Sequence, residues 1–204
     1  MTPSPTLRDA AAVLAAAFAH GALFTHVEPD PERRAARSAW LFEGALLHCS
    51  RYGGVEVVGD HGGPEVRAVA AWVPGARLSL TASDLLRTGL VATPARLGPR
   101  ATVRLERHER ASEQRLLEAT TETTAYLWLL GADPRHHGRG LGRAALGTAL
   151  DAMDRAGYDR CLLRTDDAPN VAWYRRQGFE VVERLDALPS RLPAWILARA
   201  SSTA

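Results

Sequence analysis

The sequence predicts an α/β (α+β) protein with a mixed central sheet flanked by helices, and three observations carry that expectation. Two strand-forming runs, "GVEVVGD" and "EVRAVAAWVP", flank the turn-rich "GDHGGP" and read as an antiparallel hairpin. Beyond residue 124 the order becomes strand, helix, strand, which implies a parallel pair joined by a crossover helix. The third is scale: 204 residues, 46% hydrophobic and 24% charged, suit one globular domain with a buried core. A hairpin and a parallel pair in one sheet make that sheet mixed.

Each element follows in turn. Leu7, Val13, Leu14 and Phe18 give one apolar helix face, with Thr6 as the predicted cap and Asp9 three residues on. "HGALFTHVEPDP" reads as a connection, and "PERRAARSAWLFEGALLHCSRYG" as a second helix with Trp40, Leu41, Leu46 and Leu47 apolar. After the hairpin, residues 79–120 read as a helical insert interrupted at Pro94 and Pro99. Its six arginines against three glutamates within 96–115 suit a solvated face laced with i,i+4 pairs, or an anion-binding face. "TAYLWLLGAD" is a continuous apolar run, as a buried strand would be. A helix from about Gly140 to Arg155 presents Leu141, Leu146, Leu150 and Met153, and "YDRCLLRTDD" is the next strand. "PNVAWYRRQG" is a short helix, "FEVVERLDA" another strand, and "PAWILARA" closes the sheet. No internal repeat, low-complexity linker or second-domain boundary is evident, so residues 1–204 read as one domain with its core at about 7–199.

Composition removes several chemistries. All 25 residues counted as Lys+Arg are Arg, so Schiff-base catalysis and a lysine-bearing phosphate loop are excluded. A net charge of +2 does not call for a nucleic-acid partner. Cys49 and Cys161 each sit in an apolar stretch, which suits a reducing compartment rather than a disulfide framework. No HxxxH or CxxC spacing occurs, so no metal is expected. The Ala-rich start lacks the positive region of a signal peptide, since Asp9 follows Arg8. Nothing approaches the ~18 apolar residues of a membrane span. The expectation is a cytoplasmic protein without a membrane partner.

The most informative stretch is "ADPRHHGRGLGRAAL", residues 132–146. Its glycine spacing and lack of lysine rule out a P-loop. Gly140, Gly142 and Ala145 satisfy a dinucleotide GxGxxA pattern, but "DPRHHGR" separates them from the strand and too little chain surrounds them for a doubly wound domain. The remaining reading is a turn at a helix N-terminus, with backbone N–H groups from His137 to Gly142 converging on a pyrophosphate. Arg135, Arg139 and Arg143 add charge-assisted donors.

The same residues resemble motif A of the Gcn5-related N-acetyltransferases (GNAT superfamily), whose core is Gln/Arg-x-x-Gly-x-Gly/Ala. Here it falls on His137-Gly138-Arg139-Gly140-Leu141-Gly142, with Arg143 next. "LLRTDDAPNVAWYRRQGFEVVER" resembles the family's motif B. The likeness extends over about residues 7–199 to the puromycin N-acetyltransferase-like branch, through the Ala-rich first helix, "VEPDPERRAAR", "AAWVPG", the insert and "PAWILARA". It implies a sheet splayed between two central strands with acetyl-CoA, the co-substrate, in the gap. It also implies that Leu130, Gly131 and Ala132 hold the pantetheine arm through strand backbone, that residues 137–143 hold the pyrophosphate, and that Asn170 lies near the pantetheine. Tyr174 then matches the acid that protonates the departing thiolate. The implied reaction is direct acetyl transfer to a primary amine of a small molecule.

Two positions depart from the family pattern. His137 stands where Gln or Arg is usual, and Arg164 stands where related sequences carry Glu in "LET". The latter leaves the base unassigned among Glu122, His108, Asp166, Asp167 and a water chain, while Arg164 itself suits a structural ion pair. A non-catalytic acyl-CoA sensor and a protein N-acetyltransferase are the alternatives, and a homodimer is compatible with either.

Overall fold

The computed structural model describes residues 5–59 and 65–201. Helices α1 (Pro5–Ala17), α2 (Ala22–Val27) and α3 (Pro31–Tyr52) precede strands β1 (Gly54–Gly59) and β2 (Val66–Pro74). The insert supplies α4 (Ala82–Thr88), α5 (Thr93–Leu97) and α6 (Pro99–Glu118). Then come β3 (Thr124–Ala132), α7 (Leu141–Arg155), β4 (Arg160–Thr165), α8 (Ala168–Arg176), β5 (Glu180–Leu185) and β6 (Ala194–Ala200).

Local chemistry sets the helix starts. Asp30 caps α3 by accepting from Glu32 N–H at 3.0 Å and Arg33 N–H at 3.5 Å, with Pro31 preset for the first turn. Thr81 and Asp84 form a reciprocal capping box on α4. The insert breaks at Gly89 and Gly98, both at positive φ, and Pro94 and Pro99 open the helices that follow. Three expectations need correction. Thr6 is not a cap, because α1 already runs from Pro5, a residue whose fixed φ suits a helix start. "HGALFTHVEPDP" is not merely a connection, because Leu23 and Val27 bury one side of α2 against Leu97 and Ala101 of the insert. "PAWILARA" does not close the sheet at its edge. The tip of the β1–β2 hairpin, residues 60–64, lies outside the described residues.

The six strands run in the order β1-β2-β3-β4-β6-β5, so β6 is interior and β5 is the edge. All neighbours are antiparallel except β3 and β4. That pair holds only from Thr124↔Arg160 to Leu127↔Leu163, although β3 continues to Ala132. The reason is a bulge. Trp72 faces Leu127 and Ala71 faces Leu129, which leaves Trp128 as the extra residue on β3. A bulge bends the strand that carries it, and this one falls where the pairing with β4 stops.

Two cores cover the two faces. On one, α1, α3 and α6 pack Leu14, Leu46 and Leu116 against Tyr126, Leu129, Leu162 and Ile196. On the other, α7 and α8 pack Leu146, Met153 and Tyr174 against Ala70, Leu127, Cys161 and Leu163. Burial pushes both thiols up, Cys161 to about 12, so neither is a nucleophile at neutral pH. Among the described residues no helix is long and apolar enough to cross a membrane.

Candidate active site

Beyond Leu127 and Leu163 the parted strands leave a gap, and the sequence-predicted residues distribute around it. Asp133 N–H donates to Arg67 O on β2 at 2.8 Å. Backbone direction alternates along a strand, so Ala132 and Leu130 turn their N–H and C=O groups to the opposite edge, into the gap. Gly131 turns toward β2, and its role is packing: a Cβ there would meet Ala17 Cβ at 2.9 Å and Leu14 Cδ2 at 3.0 Å. The absent side chain lets α1 lie directly on the sheet.

From Ala132 the chain makes one 3₁₀ turn, Pro134–His136, before α7. Asp133 organises this turn. Its carboxylate accepts from Arg135 N–H at 2.9 Å and from the Arg135 guanidinium at 2.8 Å, and Arg67 Nη1 lies 3.5 Å away. These bonds, Arg135 foremost, hold the Asp133 carboxyl well below the usual carboxylate range. Arg135 is thereby committed to the turn rather than to a phosphate.

His137 N–H donates to Pro134 O at 3.3 Å, so it closes the 3₁₀ turn instead of facing a ligand. Gly138 and Gly140 follow in the left-handed region, φ 81° and 74°, with open space where a Cβ would stand. Gly140 opens α7 with no side-chain cap. The N–H groups of Leu141, Gly142 and Arg143 consequently have no intrahelical acceptor. Arg139 and Arg143 are exposed beside them. A Cβ on Gly142 would lie 4.0 Å from Ala132 Cβ, so this helix end abuts the open strand edge. An uncapped helix N-terminus beside unpaired strand backbone suits a pyrophosphate continued by an amide-bearing arm, the shape of coenzyme A. Among the described residues no cluster of His, Cys, Asp and Glu could hold a metal ion.

On the same face, Asn170 Nδ2 donates to Thr165 Oγ1 at 3.3 Å, tying α8 to the last residue of β4. The Tyr174 ring packs edge-on against Trp173 and Phe179 at 5.0 and 5.6 Å. Its hydroxyl makes no hydrogen bond among the described residues and keeps contact with solvent. Burial pushes its phenol above the ordinary range, so it stays protonated at neutral pH.

The base candidates separate clearly. Glu122 is exposed in the turn before β3, at the end of the strand away from the gap. Asp167 accepts from Ala22 N–H at 3.2 Å, tying α8's start to α2. His108 and Asp166 come together, Nε2 to Oδ1 at 3.1 Å. Arg164 lies beside them, only 9% exposed, with both terminal nitrogens on Glu109 at 2.8 and 3.1 Å and a further bond to Ser112 Oγ. It is the structural ion pair the sequence suggested. Burial opposes ionisation of Asp166, but Arg164 and the His108 bond outweigh it and hold its carboxyl below the usual range. Sequence reasoning missed Ser190, which completes this group, since "LPSRLP" carries no motif.

Sheet order, the split between β3 and β4, and the glycine turn leading into α7 together define the GNAT acyltransferase fold. Two solved structures share it nearly end to end. A histone acetyltransferase HPA2 and related acetyltransferase from Corynebacterium glutamicum is 19% identical, with 100% of this chain and 96% of that one covered at TM-score 0.62. The PaiA N-acetyltransferase of Thermoplasma acidophilum, solved with coenzyme A, is 12% identical, with 95% and 92% covered at TM-score 0.54. The model of the Acetyltransferase (GNAT) family matches residues 100–179, which run from α6 through α8. Mycothiol acetyltransferase of Salinispora arenicola is 39% identical over 75 residues, 35% of this chain and 22% of that protein. The match thus spans about a fifth of that relative's length.

Proposed function

We propose that this protein is an N-acetyltransferase that moves an acetyl group from acetyl-CoA to a primary amine of a small molecule by direct attack. The observation that carries the reading is the bulge at Trp128, which parts β3 from β4 beside the uncapped start of α7. A thioester in that gap would have the Leu130 and Ala132 backbone beside its carbonyl, where an N–H stabilises the developing oxyanion. Tyr174, kept protonated, supplies the proton for the leaving thiolate. Backbone at residues 138–143 and Asn170 hold the cofactor's arms. The acceptor enters from the opposite face, where α6 packs on the sheet and α2 and α5 pack on α6, and those added helices favour a small acceptor over a protein chain. The insert also supports placement in the puromycin N-acetyltransferase-like branch, without implying puromycin as substrate. We further read the protein as cytoplasmic, without nucleic-acid or membrane partners, and compatible with a homodimer.

The test is CoA thiol release from acetyl-CoA with a panel comprising 2-phenylethylamine, spermidine, an aminoglycoside, an amino-acid ester and puromycin, followed by product mass. An amine-stimulated release with a product heavier by one acetyl supports the reading. Tight acetyl-CoA binding with no release for any amine points instead to an acyl-CoA sensor, and release only when a lysine-bearing peptide is added to the panel points to a protein acetyltransferase.

A further inference from the structure

Ser190, His108 and Asp166 form a hydrogen-bonded line between α6 and the end of β4. His108 Nε2 lies 3.1 Å from Asp166 Oδ1, and Nδ1 lies 2.8 Å from Ser190 Oγ. An ionised carboxylate only accepts, so Nε2–H donates to Asp166, and in that tautomer Nδ1 accepts the Ser190 O–H. Leu192 N–H takes one lone pair of Ser190 Oγ at 3.2 Å, leaving the other open on a half-buried residue. His108 itself is 0% exposed and reaches the outside only through its partners.

The position follows from strand alternation. On β4, Thr165 turns to Asn170 and the proposed cofactor side, whereas Arg164 turns to α6 on the other face, and Asp166 is held there by His108. Trp195 of β6 pairs with Thr165, so the loop carrying Ser190 passes the end of β4 where the gap opens. Leu192 seats that loop in the core of the insert. The charged groups around the imidazole are Arg164 from β4 and Asp166 just beyond it, Glu109 and Arg104 from α6, and His26 from α2.

We propose that Ser190, His108 and Asp166 are the base of the acetyl-transfer reaction, Ser190 taking a proton from the acceptor nitrogen as its own passes to His108. This rests on the acetyltransferase reading above. The amine nitrogen bonds to the thioester carbonyl carbon and the C–S bond breaks. The thiolate takes the Tyr174 proton. The surplus proton on nitrogen moves to Ser190 Oγ, and the Ser190 proton moves to His108 Nδ1. Asp166, neutralised in part by Arg164, holds the resulting imidazolium. After product leaves, solvent removes the His108 proton through Ser190 and restores that of Tyr174. Arg164 then has a reason to occupy the place of the family's acid: the base function has moved one bonded step away, and the guanidinium keeps Asp166 ionised.

The experiment uses the full chain and the amine from the panel above with the fastest thiol release. Ser190→Ala and His108→Gln should each lower kcat by about 100-fold, the size of a lost proton-transfer step, and abolish the acidic limb of the kcat–pH profile. KM for acetyl-CoA should stay within about twofold, because neither residue faces the cofactor arm. Ser190→Thr, which keeps a hydroxyl, should retain most of the rate and the acidic limb. Unchanged kcat and profile in Ser190→Ala overturn the relay, as does a rate loss that leaves the profile's shape intact. Acetyl-Ser190 formed at a competent rate overturns it in favour of a covalent route. If His108→Gln fails to fold, Ser190→Ala decides alone. If no amine releases thiol from the unaltered protein, the acetyltransferase reading falls and the relay falls with it.

Discussion

Leu127 and Leu163 form the last cross-strand pair between β3 and β4, and the residue immediately after Leu127 is the one with no partner on β2. The end of pairing and the bulge are therefore one event. Deleting Trp128 tests this directly. Leu129 to Ala132 would keep both their partners on β2 and their facing, since side chains would then alternate without interruption from Tyr126 onward. We expect a folded protein in which β3 continues along β4, with coenzyme A affinity reduced more than about tenfold, or 1.4 kcal/mol, by calorimetry. Unaltered affinity would show that the gap is not held open by the bulge.

Tyr174→Phe should separate chemistry from binding. The ring's contacts with Trp173 and Phe179 survive, and the hydroxyl has no protein partner to lose among the described residues. Thermal stability should stay close to that of the parent protein. Loss of an acid at the leaving group should lower kcat by about 100-fold or more, with KM for acetyl-CoA little changed. A variant with full kcat would remove Tyr174 from the chemistry.

How much of this could be read from the sequence depends on whether local pattern carried the information. The glycine turn was legible because Gly138 and Gly140 need φ values that other residues rarely adopt. The bulge was not, because "TAYLWLLGA" is apolar at nearly every position and an extra residue leaves no break in an already continuous run. The interior place of β6 was hidden for another reason: chain order says nothing about which neighbour a late strand joins. His108 and Ser190 are 82 residues apart, and only the packing of α6 over β4 brings them to 2.8 Å. The packing of Gly131 against Leu14 and Ala17 is hidden likewise, because it joins α1 to a strand more than 100 residues later.

Acid should destabilise the protein over two pH ranges. Asp133 and Asp166 have carboxyls held below their unfolded range, so their stabilisation is complete above the unfolded value near 3.9 and is lost as pH falls through the lower folded values. Asp84 behaves likewise through its bonds from Thr81 and Tyr52. His26, lowered chiefly by burial, must charge on unfolding and adds a gentler decline starting near pH 6.5. Tm measured by calorimetry should fall slightly from pH 7 to about 5 and steeply below about 4. Asp133→Asn should flatten the steep part; an unchanged slope would mean that the turn before α7 does not depend on that charge.

Two glycine substitutions should fail in opposite ways. Gly131→Ala adds a methyl where Ala17 Cβ stands at 2.9 Å and Leu14 Cδ2 at 3.0 Å. Helix α1 must move off the sheet, a strain of about 1–3 kcal/mol that appears in urea unfolding. Gly140→Ala meets no atom within 4 Å, but φ of 74° costs a side-chain-bearing residue about 1–2 kcal/mol and pulls the turn toward another conformation. Because that turn presents the Leu141, Gly142 and Arg143 N–H groups, its distortion should raise the Kd for coenzyme A, whereas Gly131→Ala should leave Kd nearly as it was. Equal effects of the two on Kd would mean that Gly131 contributes to the cofactor arm through more than the seating of α1.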